Sequence, residues 1–216
     1  MSDVKLSAFD LDHTLTKGNS SFNFCHFLLK HKILSLSTVM DSSFCYFRHL
    51  FLGMSLTELH HAIFNRVLFG RSMHFLEDQV DRFLKEYLFS ALYMPAVYRL
   101  RLAQHLGHYT VILSNSPSFL VKSVAEYFGV NEWKATEYAL DEQHNLSRIS
   151  IIMQGADKAL HLNSLSKKLG IRREAITAYS DSYHDLDFLK ASGTPIAVNP
   201  DKRLRAVSIQ QKWSII

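Results

Sequence analysis

Two carboxylates and a hydroxyl, Asp10, Asp12 and Thr14, close the apolar-leaning run VKLSAFDLDHTLT at residues 4–16. A nucleophilic carboxylate and a neighbouring carboxylate that moves protons need one shared, rigid mounting. Residues two apart on a strand project to the same face, so the side chains of Asp10 and Asp12 can converge at the end of a strand. The same triplet also occurs as solvated loop acids or helix N-caps. Its meaning therefore depends on what the rest of the chain brings to it.

Three further apolar runs stop on polar groups: YTVILS at Ser114, AITAYSD at Ser180 and Asp181, and TPIAVN at Asn199. Near-continuous apolar runs are the mark of parallel strands buried on both faces. Helical stretches separate them, the alternation of a doubly wound α/β sheet. In such sheets ligands bind beyond the carboxyl ends of the strands, at the switch point. Asp10, Ser114 and Asp181 are thereby expected in one crevice.

Between Thr16 and Met94 the strand-like runs vanish, and periodicity predicts helices over 20–32, 36–52, 55–69 and 72–92. Ser55 with Glu58 three positions later reads as a capping box, and Gly53 and Gly70 punctuate the helices. The apolar stretches FNFCHFLL and FCYFRHLFL read as the core of a small helix bundle. Residues 1–16 and 95–216 then form the α/β core, and 17–94 a helical cap domain. In the core we expect helix 95–106 and strand 109–114, with Ser116 as N-cap and Pro117 as first residue of a helix to Phe128. A strand and hairpin flap over 134–153 follow, turning near Gln143 to Asn145. Helix 157–169, strand 175–180, helix 184–190, strand 194–198 and helix 201–209 complete the expectation.

At 216 residues, with 47% hydrophobic and 20% charged residues, the chain is composed like an ordinary globular protein with a sizeable core. The net charge of +4 is carried by scattered pairs such as Lys167–Lys168 and Arg172–Arg173. No basic stripe with interleaved aromatics appears, so a nucleic-acid partner is not expected. Two cysteines, Cys25 and Cys45, exclude a disulfide framework and fit free thiols. The twelve histidines are dispersed and show no zinc-ligand spacing. Neither a secretory signal nor the ~18 apolar residues of a membrane span is evident, and the expected location is the cytoplasm.

With these features in place, the chain resembles the haloacid dehalogenase superfamily, subfamily IB, in the branch around phosphoserine phosphatase. FDLDHTLT resembles its first motif, VILSNS its strand ending in Ser or Thr, GADK (155–158) its lysine motif, and SDSYHD (180–185) its acidic motif. The resemblance runs from Leu6 to about Asp201. It implies a Rossmann-like sheet of order 3-2-1-4-5 under a helical cap of the C1 type. It also implies that Asp10 is the nucleophile, forming an aspartyl-phosphate, with Asp12 as general acid and base and Lys158 as the neutralising cation. Thr14, Ser114 and Asn115 are implied at the phosphate, and Arg66 of the cap at a substrate carboxylate. Mg²⁺ is the implied cofactor, held around Asp10, Asp181, Asp185 and the main-chain carbonyl of Asp12. Mg²⁺ suits such oxygen sites on general grounds.

The expectation is a Mg²⁺-dependent phosphatase of a small phosphorylated metabolite. Phosphoryl transfer to another acceptor would use the same site, and a non-catalytic phosphate-binding module is the reading from a different class. Asn19 stands where phosphoserine phosphatases carry a glutamate for the substrate amine, which argues against phosphoserine itself. Ser180 replaces the usual glycine of the acidic motif.

Overall fold

The computed structural model describes residues 4–216. Strand β1 (Leu6–Phe9) lies at the centre of a sheet, flanked in parallel by β2 (Tyr109–Pro117) and β5 (Ile176–Ser180). Beyond β2 comes parallel β3 (Glu132–Leu140), and beyond β5 parallel β6 (Thr194–Ala197). These five strands have the order anticipated from the sequence. Antiparallel β4 (Leu146–Ile151), the return limb of the flap, extends one edge, and the two-residue β7 (Ser214–Ile215) extends the other.

The sheet divides the core by the strand period of two. Leu6, Ala8, Val111, Leu113, Ile176 and Ala178 point to one side. There they meet α7 (Gly155–Leu169), α8 (Leu186–Lys190) and α9 (Lys202–Gln211) through Leu162, Leu165, Phe188, Leu189 and Leu204. Phe9, Ile112 and Tyr179 point to the other, where the rings of Phe9 and Tyr179 stack at 4.3 Å. On that side pack α5 (Met94–His105) and α6 (Ser118–Phe128). The apolar continuity of the strand sequences is thus explained by burial on both faces.

Between β1 and α5 the chain forms α1 (Ser20–Lys30), α2 (Leu36–Phe51), α3 (Leu56–Ile63), a π-helical turn (Phe64–Leu68) and α4 (Met73–Ala91). The Ser55–Glu58 capping box is present at α3. The helical stretch has no separate core: Phe24, Phe83 and Phe119 contact one another across α1, α4 and α6 within one hydrophobic cluster. No helix among the described residues is long and apolar enough to cross a membrane.

Two expectations change. Strand β2 continues through Ser116 to Pro117, and α6 starts at Ser118 without a side-chain cap, so Ser116 is not an N-cap. Helix 55–69 instead closes as α3 plus the π turn, in which Phe64, Val67 and Leu68 are buried.

Candidate active site

Asp10 follows directly on β1, and its amide donates to Tyr179 O at 2.9 Å, fixing the carboxylate over the end of the sheet. Lys158, fully buried, reaches it from α7: its ammonium donates to Asp10 Oδ1 at 2.7 Å and to Asp185 Oδ2 at 2.8 Å. The Ser180 hydroxyl donates to that same Asp185 oxygen at 2.7 Å. Serine in place of glycine in the acidic motif therefore has a local role, holding the carboxylate that holds the lysine. Asp10 Oδ2 accepts no hydrogen bond among the described residues. Gly155 makes the approach of α7 possible, because a Cβ there would lie 2.1 Å from the main-chain oxygen of His184.

Asp12 is held differently. Its Oδ1 accepts from the Ser20 amide at 2.7 Å, and its Oδ2 accepts from the Ser116 hydroxyl at 2.5 Å. With its proton committed to Asp12, the Ser116 oxygen receives Ser21 Oγ at 2.6 Å. Ser20, Ser21 and Ser116 were not singled out from the sequence as partners of Asp12. The available signal was the period of two after Ser114, which puts Ser116 on the same face of β2 once the strand is allowed to run on.

Four carboxylates share this end of the sheet with one ammonium. Burial pushes the Asp10 carboxyl up to about 7; Lys158 opposes the shift, while Asp185 and Asp12 reinforce it. Burial, followed by repulsion from Asp10 and Asp185, raises Asp181 to about 8. Burial pulls Lys158 down, but Asp10 and Asp185 reverse that and leave it above the ordinary lysine range. An excess of buried negative charge that one lysine does not balance suits a divalent cation. The donors fit: Asp10 Oδ2 accepts no hydrogen bond among the described residues, and Asp181 brings a second carboxylate raised by the same excess of negative charge. No three His, Cys, Asp or Glu side chains form a metal cluster among those residues. A cation would accordingly take two carboxylates and complete its shell with other oxygens, as Mg²⁺ does at phosphate sites.

A cavity of about 280 Å³ opens above the carboxylates, between the sheet end and helices α1, α2 and α3. Asp10, Asp12, Asn115, Asp181 and Asp185 line it. Thr14 and Ser114, expected at the phosphate, are fully buried beside it instead. The Thr14 hydroxyl donates to Asp181 Oδ1 at 3.3 Å, and Ser114 Oγ accepts the Ser116 amide at 3.1 Å. Thr14 thus bonds an acid and Ser114 the main chain, and neither lines the cavity. Asp185 holds Lys158 and Ser180 through Oδ2, and its Oδ1 accepts no hydrogen bond among the described residues.

Arg66 needs a firmer correction. The π turn spends its inward positions on Phe64, Val67 and Leu68, which leaves Arg66 exposed with its guanidinium donating to Ala62 O at 3.0 Å. Arg66 does not line the cavity. Asn19 does, and its side chain caps α1 by accepting the Phe22 amide at 2.8 Å.

The family model described as haloacid dehalogenase-like hydrolase matches residues 8–190. A phosphoserine phosphatase of Mycobacterium tuberculosis is 26% identical over 96% of this chain and 68% of its own. A histidinol-phosphatase of Neisseria meningitidis is 23% identical, covering 98% of this chain and 97% of its own. A crystal structure of a Bordetella pertussis protein of unknown function superimposes with a TM-score of 0.89 at 23% identity, covering 100% of this chain and 99% of that one.

Proposed function

The chain belongs to the haloacid dehalogenase-like hydrolases, as a phosphoserine phosphatase-like phosphatase, and from that premise we propose a Mg²⁺-dependent phosphomonoesterase working through phospho-Asp10. The observation that carries the reading is the pairing of Asp10 Oδ1 with a fully buried Lys158 while Oδ2 remains free. A lysine locked between Asp10 and Asp185 keeps the nucleophile aimed and partly neutralised beside an incoming phosphate.

In the first half-reaction Asp10 Oδ2 attacks phosphorus, the bond from phosphorus to the ester oxygen breaks, and Asp12 gives its proton to the departing alkoxide. In the second, Asp12 takes a proton from water as that water attacks phosphorus; the bond to Asp10 breaks and inorganic phosphate leaves. Ser20 and Ser116 hold Asp12 in one rotamer through both steps. Splitting a hard displacement in two is the usual gain from a carboxylate nucleophile, and a positioned acid–base adds ~10²–10⁴-fold. Mg²⁺, where bound by Asp10 and Asp181, would supply positive charge against the phosphate oxygens.

The helical segment over residues 17–94 is the cap in this reading, since it roofs the cavity. Chelator-treated protein should release no phosphate from a small aryl phosphate, and Mg²⁺ should restore release. Asp10→Asn should be inactive with its melting temperature kept within a few degrees. Full turnover in excess chelator, or in Asp10→Asn, would remove the reading.

A further inference from the structure

The roof of the cavity differs from its floor. All four of its acidic residues, Asp10, Asp12, Asp181 and Asp185, belong to the floor, where the phosphate is processed. Above them the wall presents the apolar Phe22, Leu59, Ile63 and Phe64 together with the uncharged hydroxyls of Ser42 and Tyr46. No lysine or arginine lines the cavity among the described residues. Arg66 faces outward, and Arg71, whose charge reaches Cys25, gives its Nε to Val67 O at 2.6 Å. His60 on the wall is kept neutral: burial, then the neighbouring His61 and His49, bring it down to about 4. The His49 ring lies 2.7 Å from Met54 O through Nδ1. A carbonyl only accepts, so Nδ1 carries a proton, and in the tautomer with that single proton Nε2 is an acceptor.

We propose that this cavity selects phosphate monoesters of uncharged, largely apolar alcohols and rejects amino-acid phosphates, an inference that rests on the phosphatase reading of the same site. An alcohol bearing a carboxylate or an ammonium would bring that charge against Leu59, Ile63 and Phe64 with no lysine, arginine or carboxylate on the wall to pair it. Uncompensated buried charge is expensive. An apolar group gains from the same wall by leaving water. The space above the carboxylates, about 280 Å³, suits a small substituent rather than a long chain. The acceptor at His49 suits one hydroxyl on that group.

The test compares kcat/KM for methyl phosphate, 2-phenylethyl phosphate, phosphoethanolamine and phosphoserine with Mg²⁺ present. We expect 2-phenylethyl phosphate to exceed methyl phosphate about a hundredfold, ~2.7 kcal/mol, and both charged substrates to be no better than methyl phosphate. If either charged substrate matches or beats 2-phenylethyl phosphate, the selection is overturned while the phosphatase reading stands. If none of the four is hydrolysed, the phosphatase reading fails, and binding to Asp10→Asn decides the cavity's preference. There, calorimetry should give 2-phenylethylphosphonate at least tenfold tighter than the phosphonate analogue of phosphoserine; equal or reversed affinities overturn the selection. A folded Leu56→Arg variant, with a cation placed at the half-buried start of α3, should narrow the preference over phosphoserine at least tenfold. An unchanged preference there would also count against it.

Discussion

Substituting Gly155 by alanine tests how closely the lysine helix must approach the acidic loop. The added Cβ would sit 2.1 Å from His184 O, 3.0 Å from its carbonyl carbon and 3.1 Å from Asp185 Cα. All three are main-chain atoms, so no side chain can swing aside. Relief to an ordinary ~3.5 Å contact requires the start of α7 and the 182–185 loop to part by more than an ångström. Lys158, three residues into that helix, would then lose its 2.7 and 2.8 Å bonds to Asp10 and Asp185. Overpacking of this kind costs ~1–3 kcal/mol of stability, and a displacement of about 1 Å at a reacting group costs ~10²-fold in rate. Gly155→Ala should therefore lower kcat on a small aryl phosphate by about two orders of magnitude while the protein still melts cooperatively, at a reduced temperature. Steady-state kinetics and calorimetry on the same preparation check both. A variant within threefold of the wild-type kcat would refute the claim that this contact sets the position of the lysine.

Three further outcomes follow from the site. Because Asp10 and Asp181 titrate in the folded protein at about 7 and about 8, above the 3.8 of the ordinary aspartyl group, the folded state holds more protons between those values. Metal-free protein should then lose melting temperature as pH rises from about 4 to 8, and the rise on adding Mg²⁺ should be larger at pH 8 than at pH 6; a pH-independent response would contradict the charge excess. Ser116→Ala removes the hydroxyl donor to Asp12 Oδ2, worth ~1.5–3 kcal/mol for a charged hydrogen bond, and should lower kcat roughly 10- to 100-fold with little change in KM; a change in KM alone would place Ser116 at the substrate instead. Arg66→Ala should change kcat/KM by less than twofold on both an anionic and an uncharged substrate, since its guanidinium bonds Ala62 O on the exposed side; a selective loss on the anionic one would put the side chain back in the pocket.

The sheet was legible because burial on both faces writes a strong signal. The runs ending at Asp10, Ser114, Ser180 and Asn199 are short, apolar and bounded by polar groups, which marks buried strands, while the order of the parallel strands came from the family resemblance. Lys158 was legible through the GADK resemblance, although only packing reveals that it is wholly enclosed. What the sequence hid falls into two kinds. Ser116 was misplaced because a serine before a proline looks like a helix start, whereas pairing with β3 carries the strand on to Pro117. Arg66 was misplaced because the direction of a side chain on a helix depends on the helical period, and the π turn alters that period. Thr14 and Ser114 show a related limit. A hydroxyl beside a site can serve the substrate or the acids, and only the hydrogen-bond pattern tells which.

The central place of β1 has a consequence for how the chain is made. β1 precedes both of its neighbours in the chain, which begin at Tyr109 and Ile176, so Leu6 and Phe9 leave the ribosome before either strand they pair with. For the time it takes to translate about half of the protein, an apolar strand with two open edges must be shielded by something other than its own sheet. At ~5–20 residues per second, that is on the order of five to twenty seconds for the first edge and longer for the second. The helices between β1 and β2 are made in this interval, and Phe24, Phe83 and Phe9 end in one cluster. The segment that roofs the finished cavity is thus also an apolar surface made in time to cover the strand that will carry Asp10.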